Sequence, residues 1–189
     1  EIVLEKLLKK MMEIISENAG AEKAVLLLPK KDKWHIEAES SINAGKIRIL
    51  ESIPLSEYGE IPVSLIQYSV RTRENLVISN ASRDPRFSND EYIIKNEPYS
   101  IMCIPLIHQG SLKGIIYLEN RLAAGAFSLE RVQMLQMFAA QISISIENAQ
   151  VAGFDRVLRG FGLHGEILFH EISNASENDC GAKLRTRSM

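Results

Sequence analysis

Residues 100–120 read SIMCIPLIHQGSLKGIIYLEN, and their pattern decides the fold. Ile101, Cys103, Pro105 and Ile107 fall on one side of an extended strand, and Met102, Ile104 and Leu106 fall on the other. Ile115, Tyr117 and Glu119 alternate in the same way with Ile116, Leu118 and Asn120 in a second strand. His108-Gln109-Gly110-Ser111 supplies the turn between them. A hairpin solvated on one side carries polar residues along that whole face. This one is apolar on both faces, so something must cover each. The next segment, from Ser128 to Gln150, is one long amphipathic helix and can cover only one of them. The other cover is where function is to be sought.

The chain has 189 residues, 46% hydrophobic and 24% charged, which suits one globular domain with a real core plus an appendage. A net charge of -2 gives no global basic field for nucleic acid or an anionic membrane, and neither partner is expected. Cys103 and Cys180 have neither metal-ligand spacing nor the density of a disulfide scaffold, and no metal or cofactor is expected. There is no signal peptide and no apolar run of membrane-spanning length. A cytoplasmic location follows as the expectation, with Asn80-Ala81-Ser82 and Asn174-Ala175-Ser176 as chance sequons.

Ile2, Val3, Leu7, Leu8, Met11, Met12, Ile14 and Ile15 follow helical spacing, and Asn18-Ala19-Gly20 ends that helix. The start in mid-helix without methionine leads us to expect a piece of a longer protein. Strands are predicted at Ala24 to Leu28, Trp34 to Ser40, Lys46 to Leu50 and Leu76 to Ser79. Pro62 opens a helix to about Thr72 with Val63, Ile66 and Val70 on one face. A turn-rich loop at 80–87 leads to a Ser88/Glu91 capping box and a short helix through Tyr92 and Ile94. Ser128 caps the last helix. Strands and helices that do not alternate regularly indicate an α+β fold with an antiparallel sheet. Residues 1–150 form the domain, and 151–189 a glycine-containing polar tail with little independent fold.

Several pieces, in order and spacing, resemble a GAF domain over residues 1–150. They are Glu17-Asn18-Ala19-Gly20-Ala21-Glu22-Lys23, the helix ending Thr72-Arg73-Glu74, and Asn80-Ala81-Ser82-Arg83-Asp84-Pro85-Arg86-Phe87. Ser100 to Leu106, Gly114 to Asn120 and Gly125-Ala126-Phe127-Ser128 complete the set. The resemblance is strongest to GAF modules of bacterial, especially cyanobacterial, multi-sensor kinases. It implies a central antiparallel sheet with the terminal helices on one face and a pocket-forming helix and loop layer on the other. It also implies a sensory or regulatory role in a histidine or Ser/Thr kinase, without catalysis by the domain itself. The alternative is a ligand-free dimerisation scaffold whose pocket is filled by its own side chains.

On that frame the pocket candidates are Ile66, Arg86, Phe87, Tyr92, Met102 and Tyr117. Asp84, Arg86 and Phe87 admit two readings. Arg86 pairs with an anionic ligand under a Phe87 roof, or Asp84-Pro85 is a turn with Phe87 plugging the core. Glu119, near a strand end, reads as solvated or turn-bonding, and Trp34 as core. Cys103 lies in an apolar strand with no cation near it and reads as buried and inert. Bilin-binding GAF domains carry their cysteine near the short helix, where Ser88 to Pro98 has none, so no covalent chromophore is expected. Cyclic-nucleotide GAF domains carry Asn-Lys, then Phe, three residues and Asp-Glu. Here Asn120-Arg121 and Phe127 are followed by Arg131-Val132, which argues against that ligand. Methionine sulfoxide reductase chemistry on this fold needs several pocket cysteines, which are lacking. His170-Glu171 only faintly resembles a phosphoacceptor box, with Ala175 in place of the usual proline. The last helix carries more apolar surface than one sheet face can bury. With Val3, Leu7, Met11 and Ile14 it suggests a homodimer through the terminal helices.

Overall fold

The hairpin forms the middle of the sheet. In the computed structural model, which describes residues 2–41 and 46–151, β5 (Ser100–His108) and β6 (Ser111–Asn120) pair antiparallel. Gln109 and Gly110, both at positive φ (48° and 75°), make the two-residue type I′ turn whose twist matches the strands. Before them come α1 (Ile2–Ala19), β1 (Lys23–Lys30), β2 (Lys33–Ser41), β3 (Lys46–Pro54), α2 (Leu55–Tyr58), α3 (Val63–Thr72), β4 (Leu76–Ile78) and α4 (Glu91–Asn96). A 3-10 turn lies at Ala81–Arg83, and α5 (Leu129–Val151) follows β6. The six strands order as β3-β2-β1-β6-β5-β4, every neighbour antiparallel.

The register assigns the faces. Val25, Tyr117 and Cys103 are direct neighbours across β1, β6 and β5, as are Leu27 and Ile115, and all belong to one apolar cluster with residues of α2, α3 and α4. The intervening residues, Leu26, Ile116, Ile104 and Met102 among them, point to the opposite face, where α1 and α5 lie. There the buried stripes are Leu8, Met11, Met12 and Ile15 on α1 and Leu135, Ala139, Ile142 and Ile146 on α5. The Ser143 hydroxyl donates to the Ile107 carbonyl at 3.1 Å, and Glu147 pairs with Lys113, fixing α5 to the hairpin. This is the doubly covered α+β arrangement expected above. Gly114 is needed where β6 meets β1: a Cβ there would stand 2.9 Å from the Leu27 carbonyl oxygen.

Four local readings are corrected. Strand β3 continues past Leu50 to Pro54, through an irregular register with β2 and Ser52 at φ 55°; this breaks the alternation that would have revealed it. Pro62 precedes α3 as its N-cap, and the buried stripe is Leu65, Ile66 and Ser69, with Val63 and Val70 half-buried. Helix α4 is capped by Asp90, whose carboxylate accepts from the Tyr92 amide at 2.9 Å, not by Ser88. Met11, assigned above to the dimer stripe, is buried within the domain. Ser128 does cap α5, accepting from the Arg131 amide at 3.4 Å. The tail expected over 151–189, with Cys180, Asn174 and His170, lies outside the described residues apart from Val151.

Candidate functional site

The sheet face under α2, α3 and α4 is apolar at its centre and charged at one end. At the centre Val25, Leu27, Ile101, Cys103 and Ile115 pack against Leu55, Leu65, Ile66, Phe87 and Ile93. Ile66 and Tyr117 are 0% exposed and Phe87 4%, so these side chains fill the space between sheet and helices themselves. Burial pushes the Cys103 thiol well above its usual range, as expected of an inert cysteine. On α3 the Ser69 hydroxyl is fully buried and has no hydrogen-bond partner among the described residues.

At the charged end, Glu119 is 1% exposed and is not the solvated residue its position near a strand end suggested. Strand alternation sets it beside Tyr117, and the β1 register sets it opposite Lys23. The Tyr92 and Tyr117 hydroxyls both donate to Glu119 Oε2, at 2.8 and 2.5 Å. Arg121 Nε donates to Oε1 at 2.5 Å, and Arg121 Nη2 donates to the Tyr92 hydroxyl oxygen at 2.8 Å. A buried charge without partners costs several kcal/mol; here one guanidinium and two hydroxyls satisfy both oxygens. Burial, with the Glu119 charge, raises the Tyr92 and Tyr117 hydroxyls above the usual tyrosine range. Burial opposes the Arg121 charge, but Glu119 outweighs it and holds the guanidinium protonated.

The charged strip continues toward β2. Tyr58 on α2 donates to Glu39 Oε2, and Arg48 Nε lies 2.9 Å from Glu39 Oε1. Burial and Glu39 together raise the Tyr58 hydroxyl. Between the two tyrosine–carboxylate pairs lies the Lys23 ammonium, 5.7 Å from the Tyr58 ring centroid and 5.6 Å from that of Tyr92. It donates to the Glu60 carbonyl at 2.5 Å, with a Glu60 carboxylate oxygen at 3.5 Å. Arg48, Glu39, Tyr58, Lys23, Tyr92, Glu119 and Arg121 thus form one line of alternating chemistry across β3, β2, β1 and β6.

Of the residues singled out from sequence, Ile66, Phe87 and Tyr117 meet in the apolar centre, and Tyr92 joins Tyr117 through Glu119. Arg86 lies at the surface, forked onto Asp84 (Nε to Oδ1 3.0 Å, Nη2 to Oδ2 2.7 Å) and stacked 5.1 Å from the Phe87 centroid. Those hydrogen bonds hold the Asp84 carboxyl below its usual range. The loop therefore has the geometry of a self-satisfied turn with Phe87 as its plug. Met102 is not part of this face: it is buried on the terminal-helix side, opposite Leu118, because an even position in β5 points away from Cys103. Sequence reasoning missed Lys23, Tyr58, Glu39 and Arg121. For Glu119 the signal was present, a carboxylate in phase with Tyr117 in a strand otherwise buried on both faces.

The strip also touches the connections to both terminal helices. Asn120 Nδ2 donates to the Gly20 carbonyl at 3.0 Å, just past α1, while its Oδ1 accepts from the Leu122 and Ala123 amides. The same loop reaches α5, where Arg131 Nη1 donates to the Ala126 carbonyl at 2.9 Å. The Arg131 guanidinium packs on Gly20, with Nη1 only 2.6 Å from where a Cβ would stand. Among the described residues there is no group of three or more His, Cys, Asp or Glu side chains placed to hold a metal ion. None of their helices is long and apolar enough to cross a membrane.

Comparison with known proteins agrees with this architecture. The GAF domain family model matches residues 3–146. Over 89 residues the chain is 43% identical to a hybrid signal transduction histidine kinase G of Dictyostelium discoideum; the match covers 47% of this chain but 3% of that protein's length. Among solved structures it is similar to the GAF domain of a phosphoenolpyruvate-protein phosphotransferase from Coxiella burnetii (22% identity, TM-score 0.62, covering 79% of this chain and 86% of that one). It is also similar to the GAF domain of a two-component sensor histidine kinase from Bacillus halodurans (15% identity, TM-score 0.59, covering 79% and 97%).

Proposed function

Because the chain belongs to the GAF family, we propose that it is a sensory and regulatory module, non-enzymatic in itself, of a cytoplasmic signalling kinase. A small molecule bound on the α2–α4 side of the sheet shifts the balance between two arrangements of the domain, and the terminal helices carry the difference to an output kinase domain. The observation behind this reading is the charged strip. It lies under the helices of the cover, ends at Glu119 and Arg121, and is one residue from the Asn120 contact that spans the connections to α1 and α5. The terminal helices also form a homodimer in this reading, through the side of α5 that leaves Met137 59% exposed, with Ile144 two turns further on.

A second reading, the ligand-free dimerisation scaffold, is favoured by the packing of Ile66, Phe87 and Tyr117 against one another. Native mass spectrometry of the full-length protein purified from its own host separates the two. A dimer retaining a small molecule, whose removal raises hydrogen exchange in α1 and α5, is the outcome expected of a sensor. A dimer with no retained mass and helix exchange indifferent to metabolite extracts sinks the sensory reading and leaves the scaffold.

A further inference from the structure

Lys23 is the member of the charged strip whose ammonium turns away from the carboxylate facing it across the sheet. Its backbone partner across β6 is Glu119, yet its ammonium extends away to the space between the Tyr58 and Tyr92 rings. Ring faces attract a cation within about 6 Å of their centroids, most strongly when water is kept away. Both rings are held by groups other than the lysine: the Tyr58 hydroxyl by Glu39 and the Tyr92 hydroxyl by Glu119 and Arg121. The cage is therefore set independently of what fills it. Its charge is also arranged for a cation. Glu39 has Arg48 and Glu119 has Arg121, which leaves Glu60 as the carboxylate that Lys23 alone serves. Glu60 is 66% exposed and sits on the connection between α2 and α3, and the Lys23 side chain between the rings is itself 16% exposed, so the cage has a narrow opening to solvent on that side.

We propose that this cage recognises the ammonium group of a small organic cation, and that Lys23 is its built-in competitor. This rests on the sensory reading above and names the ligand class for it. An incoming ammonium takes the place of the Lys23 Nζ between the two rings, and the lysine swings into water on its flexible stem. The lysine contact with the Glu60 carbonyl is then lost, and that contact ties the α2–α3 connection to the first residue of β1. Binding would thereby release the cover from the sheet at the end nearest the helix connections. A tethered competitor acts at an effective concentration of roughly millimolar order or above, so a simple cation binds wild type weakly, and removing the tether strengthens binding.

The test uses tetramethylammonium and n-butylammonium chlorides as probes, with sodium chloride at matched ionic strength as control. Titration calorimetry and thermal unfolding are followed on wild type, Lys23→Met and Lys23→Arg. Lys23→Met is expected to bind both probes saturably, at least tenfold more tightly than wild type, with a rise in melting temperature that sodium chloride does not reproduce. Lys23→Arg, which refills the cage, is expected to lose that response. A folded Lys23→Met with no saturable response overturns the proposal, as does an equal response in Lys23→Arg. Should Lys23→Met not fold, wild type reductively methylated with 13C on its lysines gives the second readout. The dimethyl-Lys23 signal should sit upfield, shifted by the two rings, and move toward the free-lysine position as tetramethylammonium is added; no movement overturns the proposal. Failure here, beside a retained neutral or anionic molecule in native mass spectrometry, removes the cage and leaves the sensory reading intact.

Discussion

Glu119→Ala is the most direct test of the charged end of the site. The substitution deletes a carboxylate that accepts from two buried hydroxyls and one guanidinium. Arg121 is 43% exposed, so water can take over much of its solvation, and its share falls toward the small value of a surface pair. The two tyrosines have less recourse. Tyr117 is 0% exposed, and an orphaned buried hydroxyl costs about 1–3 kcal/mol. Tyr92 keeps the Arg121 contact only through its own oxygen, which leaves its proton unplaced. Together we expect a loss of about 3 kcal/mol, within the range for breaking one side of a buried charged network. With a urea slope of about 2 kcal/mol/M, the midpoint should fall by roughly 1.5 M.

The decisive measurement is the double-mutant cycle. Tyr117→Phe alone removes a hydrogen bond to a charged acceptor and should cost about 1.5–3 kcal/mol. In the Glu119→Ala background that bond no longer exists, and the same change should cost nothing or stabilise, because it removes the orphaned hydroxyl. The expected coupling is therefore at least about 1 kcal/mol, well outside the few tenths within which independent sites add. Additive costs, measured by urea unfolding with coincident fluorescence and circular dichroism transitions, would refute the account of Glu119 as the holder of both tyrosines.

Three further outcomes follow from the same geometry. Tyr58, Tyr92 and Tyr117 have hydroxyls raised above the unfolded-chain value by burial and their carboxylate neighbours. Their contribution to stability is therefore whole below about pH 10 and is lost as pH climbs toward the folded-state values. In an absorbance titration at 295 nm, these three should ionise only together with loss of far-ultraviolet dichroism; stepwise ionisation of an intact fold would contradict this. On α5, Met137→Glu at an exposed position should leave a folded monomer, whereas Leu135→Glu or Ile142→Glu should unfold the domain, since both are buried against the sheet. Light scattering with size exclusion decides it, and a wild type that is monomeric at tens of micromolar, about the range of a weak interface, ends the dimer proposal. Gly114→Ala sets a methyl 2.9 Å from the Leu27 carbonyl and should cost about 1–3 kcal/mol by overpacking at the β1–β6 junction; an unchanged urea midpoint would show that the strands can move apart there freely.

The fold was legible because its decisive segments obey period two and period 3.6 over most of their length, the one irregularity of the β5–β6 pairing lying near the turn, at Lys113. The β5–β6 pair shows both faces in its sequence, and α5 shows its buried stripe at Leu135, Ala139, Ile142 and Ile146. The readings that failed lie where local chemistry departs from the period. Ser52 at positive φ hid the second half of β3, and Asp90 outcompeted Ser88 because its carboxylate reaches the Tyr92 amide directly. Met102 was assigned to the pocket although its parity, written in the same alternation, places it on the other face. The charged strip was harder to see. Its members come from six elements and the residue after β6, separated by up to 98 positions, Lys23 to Arg121, and most of them alone look like ordinary surface residues. Only the strand register, which sets Lys23 opposite Glu119 and Arg48 opposite Glu39, brings them into line.

That alignment has a consequence for how such a domain can change state. An apolar core packed to this degree deforms little, because each side chain already sits in full contact with its neighbours. A polar strip with a cation between two rings is different, since its groups can exchange partners with water at small cost where they are exposed. The Lys23–Glu60 contact is the one that joins the α2–α3 connection to the first residue of β1; its Glu60 side is 66% exposed, and neither residue belongs to the apolar cluster. Glu119 and Tyr117 cannot exchange partners in this way, being sealed. On the sensory reading proposed above, the domain has a rigid end, fixed through Asn120 to the helix connections, and the Lys23–Glu60 contact next to it as the latch. In that reading, a signal that opens the latch would change the restraint on the cover while the Glu119 network keeps the sheet end intact, the combination a switch needs if it is to move without unfolding.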